Sequence, residues 1–531
     1  MSENPVAETL LSAPVREIPE GTPDNSPIRV IHHLESCLKT LDEQQQEIAF
    51  KYPNGPQRLR GLAGTGKTIL LAKRAAKIHY EHPDWKIAFV FFTRSLYDQI
   101  RQERIRLYYG ELTGAKEPNW DNLNILHAWG GKEQHGFYHR LASECSMQPK
   151  TVKDVENEIG KVSPGVAFKY VCNILELEVT NYPTLYDVIL IDEAQDLPSS
   201  FYRLARHVLT EPKRLYWAYD EAQGIDSLIV PDTTKIFGRH PDGTPIVDLG
   251  IASNRSFFYE GTNIRKSENL NKCYRTPKLL LMAAHAINMG LLRKEGVLQG
   301  VSNQEEWKKL GYNILEGDFT DVSVKEKKLV TIERQIEKSP HPIDRDNFEV
   351  QAGVSDPLTI ETFQDECEEQ EWIAQQIAND LKQGLQPSDL MITAIGGEKE
   401  QDYLRSLQET LKTYGVKSCI VGVDSDRSEF GKPGHVTISN IYRAKGNEAW
   451  KVYACRFHYA TKPVAWKKEN ELRKRNEAFV AMTRARVWCV VTGLENPVFE
   501  ELRLAKEQFP FLVFPAFNKN SLKRTLDEEG K

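Results

Sequence analysis

The sequence lacks any apolar run long enough to cross a membrane. Its longest apolar runs, residues 87–92 (IAFVFF) and 188–191 (VILI), are far shorter than the ~18 residues that a membrane span requires. The first residues, MSENPVAETLL, also lack the basic stretch and the long apolar stretch of a secretory signal. We therefore expect a cytoplasmic protein with no membrane partner.

Paired cysteines are also missing. The eight cysteines are scattered and form no CxxC pair, a pattern typical of reduced thiols rather than of a disulfide framework or a zinc ribbon. The densest histidine and cysteine stretch, which contains His127, His135, His139 and Cys145, lacks the spacing of metal ligands. These observations argue against a disulfide-stapled protein and against a zinc site.

The chain has no excess of positive charge. It contains 69 Lys and Arg against 75 Asp and Glu, for a formal net charge of −6, which argues against a histone-like protein. A nucleic-acid groove stays possible, because binding there depends on local charge. The length of 531 residues predicts three to four domains at about 150 residues per domain.

Short apolar strands alternate with helical patterns in two parts of the chain. In the first part we expect strands at residues 58–62, 87–92, 124–127, 187–191 and 214–218. In the second part we expect them at residues 389–395, 418–421, 435–439, 451–454 and 487–492. Buried strands that alternate with helices are typical of parallel sheets covered on both faces. The sequence therefore predicts an α/β fold with two such domains.

The remaining segments set the expected domain boundaries. Residues 1–35 are rich in proline at their start and predict a disordered leader. We expect the two domains at residues 36–270 and 271–500, and a polar, irregular insertion at about 290–356. Residues 501–531 end in a charged stretch and are expected to form a tail.

The strongest chemical signal is a phosphate loop of the GxxxxGK[ST] type, residues 61–68 (GLAGTGKT), between an expected strand and an expected helix. Its glycines let backbone N–H groups surround an anion at the positive end of the helix. Lys67 would reach the β- and γ-phosphates, and the Thr68 hydroxyl would bind Mg²⁺. The predicted nucleotide contacts of the loop are Gly61, Ala63, Gly64, Thr65, Gly66, Lys67 and Thr68. The loop by itself leaves a kinase, a GTPase, a transporter ATPase and a motor open.

A second signal is an apolar strand that ends in adjacent carboxylates, residues 188–196 (VILIDEAQD). Asp192, at the tip of the strand, can hold the Mg²⁺ ion through its water shell, and Glu193 is placed to orient or deprotonate the attacking water. The alternative is a solvated helix start, where Asp and Glu are favoured.

Further motifs follow the order found in UvrD/Rep-like superfamily 1A helicases, which this chain resembles from residue 41 to residue 486. The resemblance rests on the following segments: 41–45 (LDEQQ, Q motif), 61–68 (motif I), 92–94 (FTR, motif Ia), 124–129 (NILHAW), 192–196 (DEAQD, motif II), 219–223 (YDEAQ, motif III), 273–276 (CYRT, motif IV), 363–380 (an acidic helix), 436–448 (motif V) and 477–485 (motif VI).

The resemblance implies two RecA-like P-loop NTPase domains with parallel sheets and small accessory insertions, which bind ATP and Mg²⁺ at their interface. It implies that Gln45 reads the purine edge and that Tyr274 stacks on the adenine. It also implies that Gly446 and Glu448 contact the nucleotide, with Glu448 on the ribose. A tyrosine such as Tyr274 is otherwise most often a packing residue.

Three further residues are candidates for sensing the γ-phosphate. Gln223 would link the γ-phosphate to the nucleic-acid side, which the resemblance alone implies. Arg275 and Arg484 would contact the γ-phosphate from the second domain, as arginine fingers do. The alternative for each arginine is a surface salt bridge.

Single-strand tracks combine basic residues with aromatic residues on which bases stack. The candidates near the matching motifs are Thr93, Arg94, His127, Trp129, Tyr442 and Arg443. For each aromatic residue alone, core packing is the alternative. The basic runs at 466–468 and 473–475 add positive charge near the track or form a solvated helix face.

The chain departs from the family pattern at several positions. Tyr219 replaces the usual glycine of motif III, the aromatic stretch that normally follows is missing from residues 224–231, and Tyr442 stands where motif V usually has histidine. Only fifteen steps separate Val421 from Val436, where the family inserts a large accessory subdomain. These departures indicate a trimmed helicase.

The function expected from the sequence is ATP-driven translocation on single-stranded DNA, or on DNA with a single-stranded end. A 3′-to-5′ direction and strand separation are implied by the resemblance. Two alternatives stay open. One is an ATP-gated DNA-sensing regulatory subunit of a nuclease complex, in phage defence or repair, that does not unwind processively. The other is an RNA helicase.

Overall fold

The computed structural model describes residues 18, 20–23, 26–37, 43–114, 116–131, 136–220, 233–250, 256–301, 303–317, 328–344, 356–397, 399–425, 429–461 and 470–525. This part of the chain is an α/β protein built on two six-stranded parallel sheets. Its α-helices are α1 (Pro27–Cys37), α2 (Glu43–Phe50), α3 (Lys67–Glu81), α4 (Arg106–Thr113), α5 (Phe137–Glu144), α6 (Val152–Ile159), α7 (Pro164–Glu178), α8 (Ser199–His207), α9 (Thr233–Phe237), α10 (Lys278–Met289), α11 (Gln304–Lys309), α12 (Glu366–Lys382), α13 (Glu400–Thr413), α14 (Ile441–Ala444), α15 (Asn470–Met482) and α16 (Pro497–Glu507).

The first sheet has the strand order β3-β2-β4-β5-β1-β6, and all its strands are parallel. Its strands are β1 (Gln57–Gly61), β2 (Ile87–Phe91), β3 (Leu123–His127), β4 (Tyr186–Ile191), β5 (Leu209–Tyr219) and β6 (Ser267–Leu270). Neighbouring residues of β2 pack on opposite faces, since Phe89 contacts the core beside α3 and Val90 contacts the core beside α7 and α8. Both faces of the sheet are therefore covered, which explains why every residue of β2 is buried.

The second sheet has the order β10-β15-β14-β11-β13-β12 and is also parallel throughout. Its strands are β10 (Leu358–Phe363), β11 (Leu390–Ala394), β12 (Ser418–Ile420), β13 (Val436–Asn440), β14 (Ala449–Cys455) and β15 (Ala485–Leu494). One face of the sheet packs on α10, α15 and α16, and the other packs on α12 and α13.

A smaller antiparallel sheet joins the expected insertion to the end of the chain. It has the order β16-β9-β8, and its strands are β8 (Tyr312–Glu316), β9 (Leu329–Arg334) and β16 (Phe511–Pro515). Two short parallel strands, β7 (Gln299–Gly300) and β17 (Arg524–Thr525), make a second link between these regions. The part of 501–531 that we expected as a tail is thus folded against the insertion through residue 525.

The ten strands predicted from the sequence are all present, with ends within a few residues of the expected ones. Among the described strands, the edge strands β6 and β10 of the two large sheets were not predicted, and neither were the strands outside these sheets, β7, β8, β9, β16 and β17. The sequence of β6, SENL, has a single buried apolar residue, Leu270, so it carries little strand signal. An edge strand with one neighbour needs less burial than a central one.

The first helix begins inside the segment that we expected as a disordered leader. Val30, Ile31 and Leu34 on α1 are fully buried against Ile373 and Leu390 of the second domain. The apolar residues of this segment have helical spacing in the sequence, and their contact with the second domain explains why α1 is ordered. Among the described helices, none is long and apolar enough to cross a membrane.

Candidate functional site

The candidate site lies where the central strands of the first sheet end. β5 pairs with both β1 and β4, so the residues that follow these three strands meet at one edge. In parallel α/β sheets this carboxyl edge is where ligands bind. The residues that follow are the phosphate loop after β1, Asp192 after β4 and Asp220 after β5.

The phosphate loop connects β1 to the first residue of α3, Lys67. Gly64 and Gly66 both have left-handed backbone conformations, with φ of 74° and 83°, which glycine adopts without strain. A Cβ atom on Gly64 would lie 2.8 Å from Cys273 Sγ, so the loop also needs glycine for close packing. The Lys67 ammonium donates to the carbonyl oxygens of Gly61 (2.7 Å) and Leu62 (2.8 Å).

Thr68 and Asp192 are in direct contact, since the Thr68 hydroxyl donates to Asp192 Oδ2 over 2.7 Å. Asp192 is fully buried. Burial and the neighbouring Glu193 carboxylate raise the pKa of Asp192 to about 6. Its second oxygen, Oδ1, is buried and has no hydrogen-bond partner among the described residues.

These two residues fit a magnesium ion. A buried carboxylate oxygen without a partner beside a hydroxyl oxygen is the kind of donor set that Mg²⁺ takes, completed by water and phosphate oxygens. A cation there would favour the charged form of Asp192, which burial opposes. In the described part of the chain, no group of three or more His, Cys, Asp or Glu side chains could hold a metal ion by itself.

Glu193 has an unusual backbone conformation, with φ of 51° and ψ of 40°. A non-glycine residue in this left-handed region stores about 1–3 kcal/mol of strain, and such residues concentrate at functional sites. Burial opposes the charge of Glu193, but the positive charges of Lys445, Lys67 and Arg484 outweigh it and lower the pKa of the carboxyl group. The carboxylate is therefore ionised at neutral pH.

Gln195 connects Glu193 to the end of β5. Its amide nitrogen donates to Glu193 Oε2, and its amide oxygen accepts from the backbone N–H of Asp220 at 3.1 Å. The Lys67 ammonium lies 3.9 Å from Asp220 Oδ2. The carboxylate after β4, the segment after β5 and the phosphate loop thus form one buried network. Gln223, predicted to belong to this region, lies outside the described residues.

Lys445 reaches into this network from the second domain. Its ammonium lies 2.6 Å from Asp196 Oδ2 and 3.8 Å from Glu193 Oε2, and all three side chains are buried. We placed Lys445 within motif V but predicted no role for it. The only sign of this contact in the sequence is a lysine that precedes a glycine. Its partner Asp196 lies 249 residues away along the chain, so the sequence does not show the pairing.

Arg275 and Glu448 form an ion pair, with 2.8 Å between Nη1 and Oε2. Arg275 also donates to the backbone oxygen of Thr483 at 3.2 Å. Burial opposes the charge of Glu448, but Arg275, Arg486 and Arg104 outweigh it and lower the pKa of the carboxyl group to about 2. Glu448 is thus held in place by guanidinium groups from both domains.

Arg484 is only 1% exposed, so it does not form the surface salt bridge that was its alternative. Its guanidinium donates to the backbone oxygens of Val480 (3.0 Å) and Asn447 (3.3 Å). Burial and the positive charge of Arg275 lower the pKa of Arg484 to about 9, while Glu193 favours its charge. Arg484 therefore lies near the carboxylates of both Glu193 and Glu448, and Arg275 lies beside Glu448.

The other predicted nucleotide contacts border the phosphate loop. The Gln45 side chain is buried, and its amide donates to the Thr65 oxygen at 3.1 Å. The backbone N–H of Tyr274 donates to the Gly64 oxygen at 3.0 Å, and the Cys273 thiol lies 3.2 Å from the Ala63 oxygen.

Gly446 marks a close approach of the two domains. A Cβ atom at this position would lie 2.6 Å from Leu96 Cδ1, and its φ of 81° is left-handed. Only glycine fits this close contact and this backbone conformation without a shift of the surrounding structure. The segment that carries Gly446 and Glu448 therefore packs directly against the residues that follow β2.

Four predicted nucleic-acid contacts meet at this junction between the domains. Arg94 and Tyr442 are exposed, and Thr93 and Arg443 are partly exposed. The Ser95 hydroxyl donates to the Arg443 oxygen at 3.0 Å and accepts from the Asn447 amide at 3.2 Å. These bonds bring the segment after β2 and the segment after β13 together.

His127 and Trp129 are placed differently. His127 Nδ1 accepts from the backbone N–H groups of Trp129 (3.1 Å) and Gly130 (3.0 Å), so its Nε2 carries the proton and donates to the Phe92 oxygen at 2.6 Å. Burial, together with Arg94, lowers the pKa of His127 to about 3. Trp129 is 5% exposed and donates to the Lys150 oxygen. Both side chains are in packing positions that hold β3 beside β2.

The basic run at 473–475 is also partly internal. Arg475 is buried and binds Glu501 through two hydrogen bonds of 2.6 and 2.8 Å, and Lys474 pairs with Glu477 at 2.7 Å. Residues 466–468 lie outside the described part of the chain.

None of the family models matches the chain, and none of the curated proteins does. The class that the structure defines is an α/β protein whose two parallel sheets contribute charged residues to one shared site.

Proposed function

We propose that the protein is an ATP hydrolase that translocates on single-stranded DNA, with two RecA-like domains that bind ATP·Mg²⁺ between them. The observation that carries this proposal is the segment 441–447. Tyr442 and Arg443 at its start border the exposed junction, whereas Lys445 contacts Asp196 and lies near Glu193. One short segment thus connects the candidate DNA face to the candidate hydrolysis site.

ATP binding follows from the phosphate loop. Backbone N–H groups at the start of α3 would surround the phosphates, and Lys67 would contact the β- and γ-phosphates. Thr68 and Asp192 would hold Mg²⁺, which supplies positive charge against the phosphate oxygens when bound. Tyr274 and Gln45 border the loop where the adenine is expected.

Hydrolysis needs a base and positive charge around the γ-phosphate. The ionised Glu193 accepts a proton from the attacking water as the water oxygen bonds to the γ-phosphorus and the bond to the ADP oxygen breaks. Arg275 and Arg484 stabilise the charge that spreads over the γ-phosphate oxygens in the transition state. The products are ADP and inorganic phosphate.

Domain movement would follow from the attachment of these arginines. Arg275 precedes α10 and Arg484 follows α15, and these two helices pack on each other in the core of the second domain. Loss of the γ-phosphate would remove its contacts with both arginines and change how the second domain packs on the first. The 441–447 segment would pass that change to the bound strand.

The test is ATP turnover by the purified chain with and without single-stranded DNA. We expect DNA to stimulate turnover severalfold or more. Lys67→Ala and Glu193→Gln should abolish turnover while circular dichroism shows an unchanged fold, and the exposed Glu158→Gln serves as the matched control. Turnover that does not respond to DNA in the wild type would rule out the motor.

A second candidate is an ATP-gated DNA sensor that signals to a partner such as a nuclease. The observation that favours it is the short connection between β12 and β13, which leaves no room for an accessory domain at that point. Fork unwinding by the chain alone supports the helicase, whereas DNA-stimulated turnover without unwinding supports the sensor.

Competition between DNA and RNA oligonucleotides decides which strand is the track.

A further inference from the structure

The segment that carries Arg275 is held between the phosphate loop and the small sheet. We call residues 271–278 the crossing segment, because they connect β6 of the first sheet to α10 of the second domain. On one side, the Tyr274 N–H donates to the Gly64 oxygen at 3.0 Å. On the other side, the Cys273 N–H donates to the Lys338 oxygen at 2.9 Å. The crossing segment is therefore hydrogen-bonded to the phosphate loop on one side and to the insertion on the other.

Arg334, at the end of β9, organises that second side. Its guanidinium donates to Ser339 Oγ (2.7 Å) and to the backbone oxygens of Leu310 (2.5 Å), Asn271 (2.9 Å) and Lys338 (2.6 Å). The side chain is fully buried. The guanidinium of Arg334 thus binds the carbonyl oxygen of Asn271, the first residue of the crossing segment. It also binds the Lys338 carbonyl oxygen, which accepts from the Cys273 N–H.

The fit around Arg334 is tight. A Cβ atom on Gly311 would lie 2.7 Å from Arg334 Nη1 and 3.1 Å from the Asn271 oxygen. The aromatic ring of Tyr312 lies beneath the guanidinium, 5.4 Å from its carbon. A guanidinium presents its donors in a fixed plane, which the point charge of a lysine does not reproduce.

The insertion contacts the other end of the crossing segment as well. Asp344 Oδ2 accepts from the backbone N–H of Lys278 at 2.7 Å, and the Lys278 ammonium lies 3.4 Å from Glu333 Oε1. Because residue 277 is a proline, the first turn of α10 has no side-chain cap of its own. Arg275 therefore lies between two points that the insertion fixes.

We propose that Arg334 is a positioning residue that holds the crossing segment so that Arg275 meets the γ-phosphate. The inference rests on the proposed ATP hydrolysis. It gives the end of β9 and the residues 336–344 that follow it a role in turnover. Arg334 acts through Arg275 and does not touch the nucleotide.

The test compares Arg334→Lys with wild type in ATP turnover and in binding of fluorescent ADP. We expect kcat to fall about 10-fold or more, and the Kd for ADP to change less than about threefold, because Tyr274 and the phosphate loop keep their own hydrogen bond. Ser339→Ala, which removes only the acceptor of Nε, should lower kcat severalfold and serves as the gentler variant if Arg334→Lys does not fold.

A double-variant cycle separates positioning from general damage. Arg275→Ala with Arg334→Lys should be no slower than Arg275→Ala alone, because two residues that act through one contact are not additive. The control is Leu512→Ala in β16, whose buried side chain lies in the small sheet. It should lower the melting temperature and leave kcat within about twofold at a temperature where it is folded.

The outcomes distinguish the two proposals. A wild-type chain without ATP turnover overturns the proposed function. An active wild type with normal kcat in Arg334→Lys and Ser339→Ala overturns the positioning role alone. Three further results would also overturn the positioning role. The first is a double variant whose loss of kcat is the product of the two single losses. The second is an ADP affinity in Arg334→Lys that falls as much as kcat does, and the third is a loss of kcat in Leu512→Ala as large as that in Arg334→Lys.

Discussion

Lys445 and Asp196 form a buried ion pair, with 2.6 Å between Nζ and Oδ2, that joins the second domain to the first at the edge of the candidate site. Lys445 follows α14, and Asp196 follows the strand β4, which ends at Ile191. Removal of two charges from water is expensive, and only close contact offsets it. Loss of one partner would therefore leave the other charge buried without this contact.

Lys445→Met should destabilise the protein by about 3–5 kcal/mol, because it leaves the buried Asp196 without this cation. Asp196→Asn should cost a similar amount. The double variant should lose less free energy of unfolding than the sum of the losses in the two single variants. Denaturant unfolding measures these free energies. The ratio of ATP turnover with and without DNA should also fall in Lys445→Met. Strictly additive losses of stability would show that the two side chains do not interact in solution.

If Arg484 contacts the γ-phosphate as proposed, Arg484→Ala should lower kcat for ATP by about 10³ or more, the scale known for arginine fingers. The loss should appear in kcat more than in the affinity for ADP, since ADP lacks the γ-phosphate. Arg503→Ala is the matched control, because Arg503 forms an exposed pair with Glu495 in the same domain. Phosphate release measures both variants, and a near-normal rate in Arg484→Ala would refute its role.

Tyr442→Ala should weaken binding to single-stranded DNA by about 1–3 kcal/mol, the range for loss of one stacked base. The fold should be unaffected, because Tyr442 is 41% exposed. Tyr414→Ala is the matched control, since Tyr414 has the same exposure of 41% and follows α13. Fluorescence anisotropy on an oligothymidylate measures both variants. Equal affinities for Tyr442→Ala and Tyr414→Ala would exclude stacking at Tyr442.

The same binding assay should show a steep dependence on salt, despite the net charge of −6. Contacts between cationic side chains and phosphates release counterions, so the affinity falls as the salt concentration rises. Arg94→Ala should reduce the slope of log affinity against log salt, whereas Tyr442→Ala should leave the slope nearly unchanged. Affinity that does not respond to salt would contradict a cationic DNA face.

Asp344→Asn should change how stability depends on pH. Burial raises the pKa of Asp344 from 3.8 to about 7, although the backbone N–H and the charge of Lys278 and the charge of Arg334 oppose this. Between pH 4 and pH 7 the folded protein therefore binds more protons at this carboxyl than the unfolded chain, so its contribution to stability falls as pH rises.

The asparagine variant cannot titrate, and its amide oxygen can still accept from the Lys278 N–H. It should match the wild type near pH 4 and be more stable by a few kcal/mol, as an order of magnitude, at pH 8. Thermal melts across this range measure the difference. A constant difference between the two proteins at all pH values would show that Asp344 does not titrate in this window.

Local patterns predicted most of the two large sheets. Strands such as residues 87–91 and 187–191 are short apolar runs between turn residues, and their burial on both faces needs no knowledge of their neighbours. The meeting of Lys67, Thr68 and Asp192 could also be predicted, because the residues that follow the strands of one parallel sheet share one edge of that sheet.

The predicted nucleic-acid contacts show that such local patterns do not predict which side chains are exposed. Tyr442 and Trp129 both belong to segments that resemble DNA-contact motifs, yet Tyr442 is exposed and Trp129 lies in the core. Exposure depends on what packs above a residue, and for Trp129 that is Phe168 of α7. Sequence spacing near Trp129 does not contain this information.

The sequence by itself determined the two α/β halves, the glycine-rich loop after β1 and the carboxylates after β4, because each depends on residues close together in the chain. Only the tertiary structure decided that Lys445 pairs with Asp196, that Arg275 pairs with Glu448 and that Arg334 anchors the crossing segment. These contacts join residues far apart in the chain. Their formation depends on how whole domains pack, because that packing decides which opposite charge lies close enough to pair with a buried charged group.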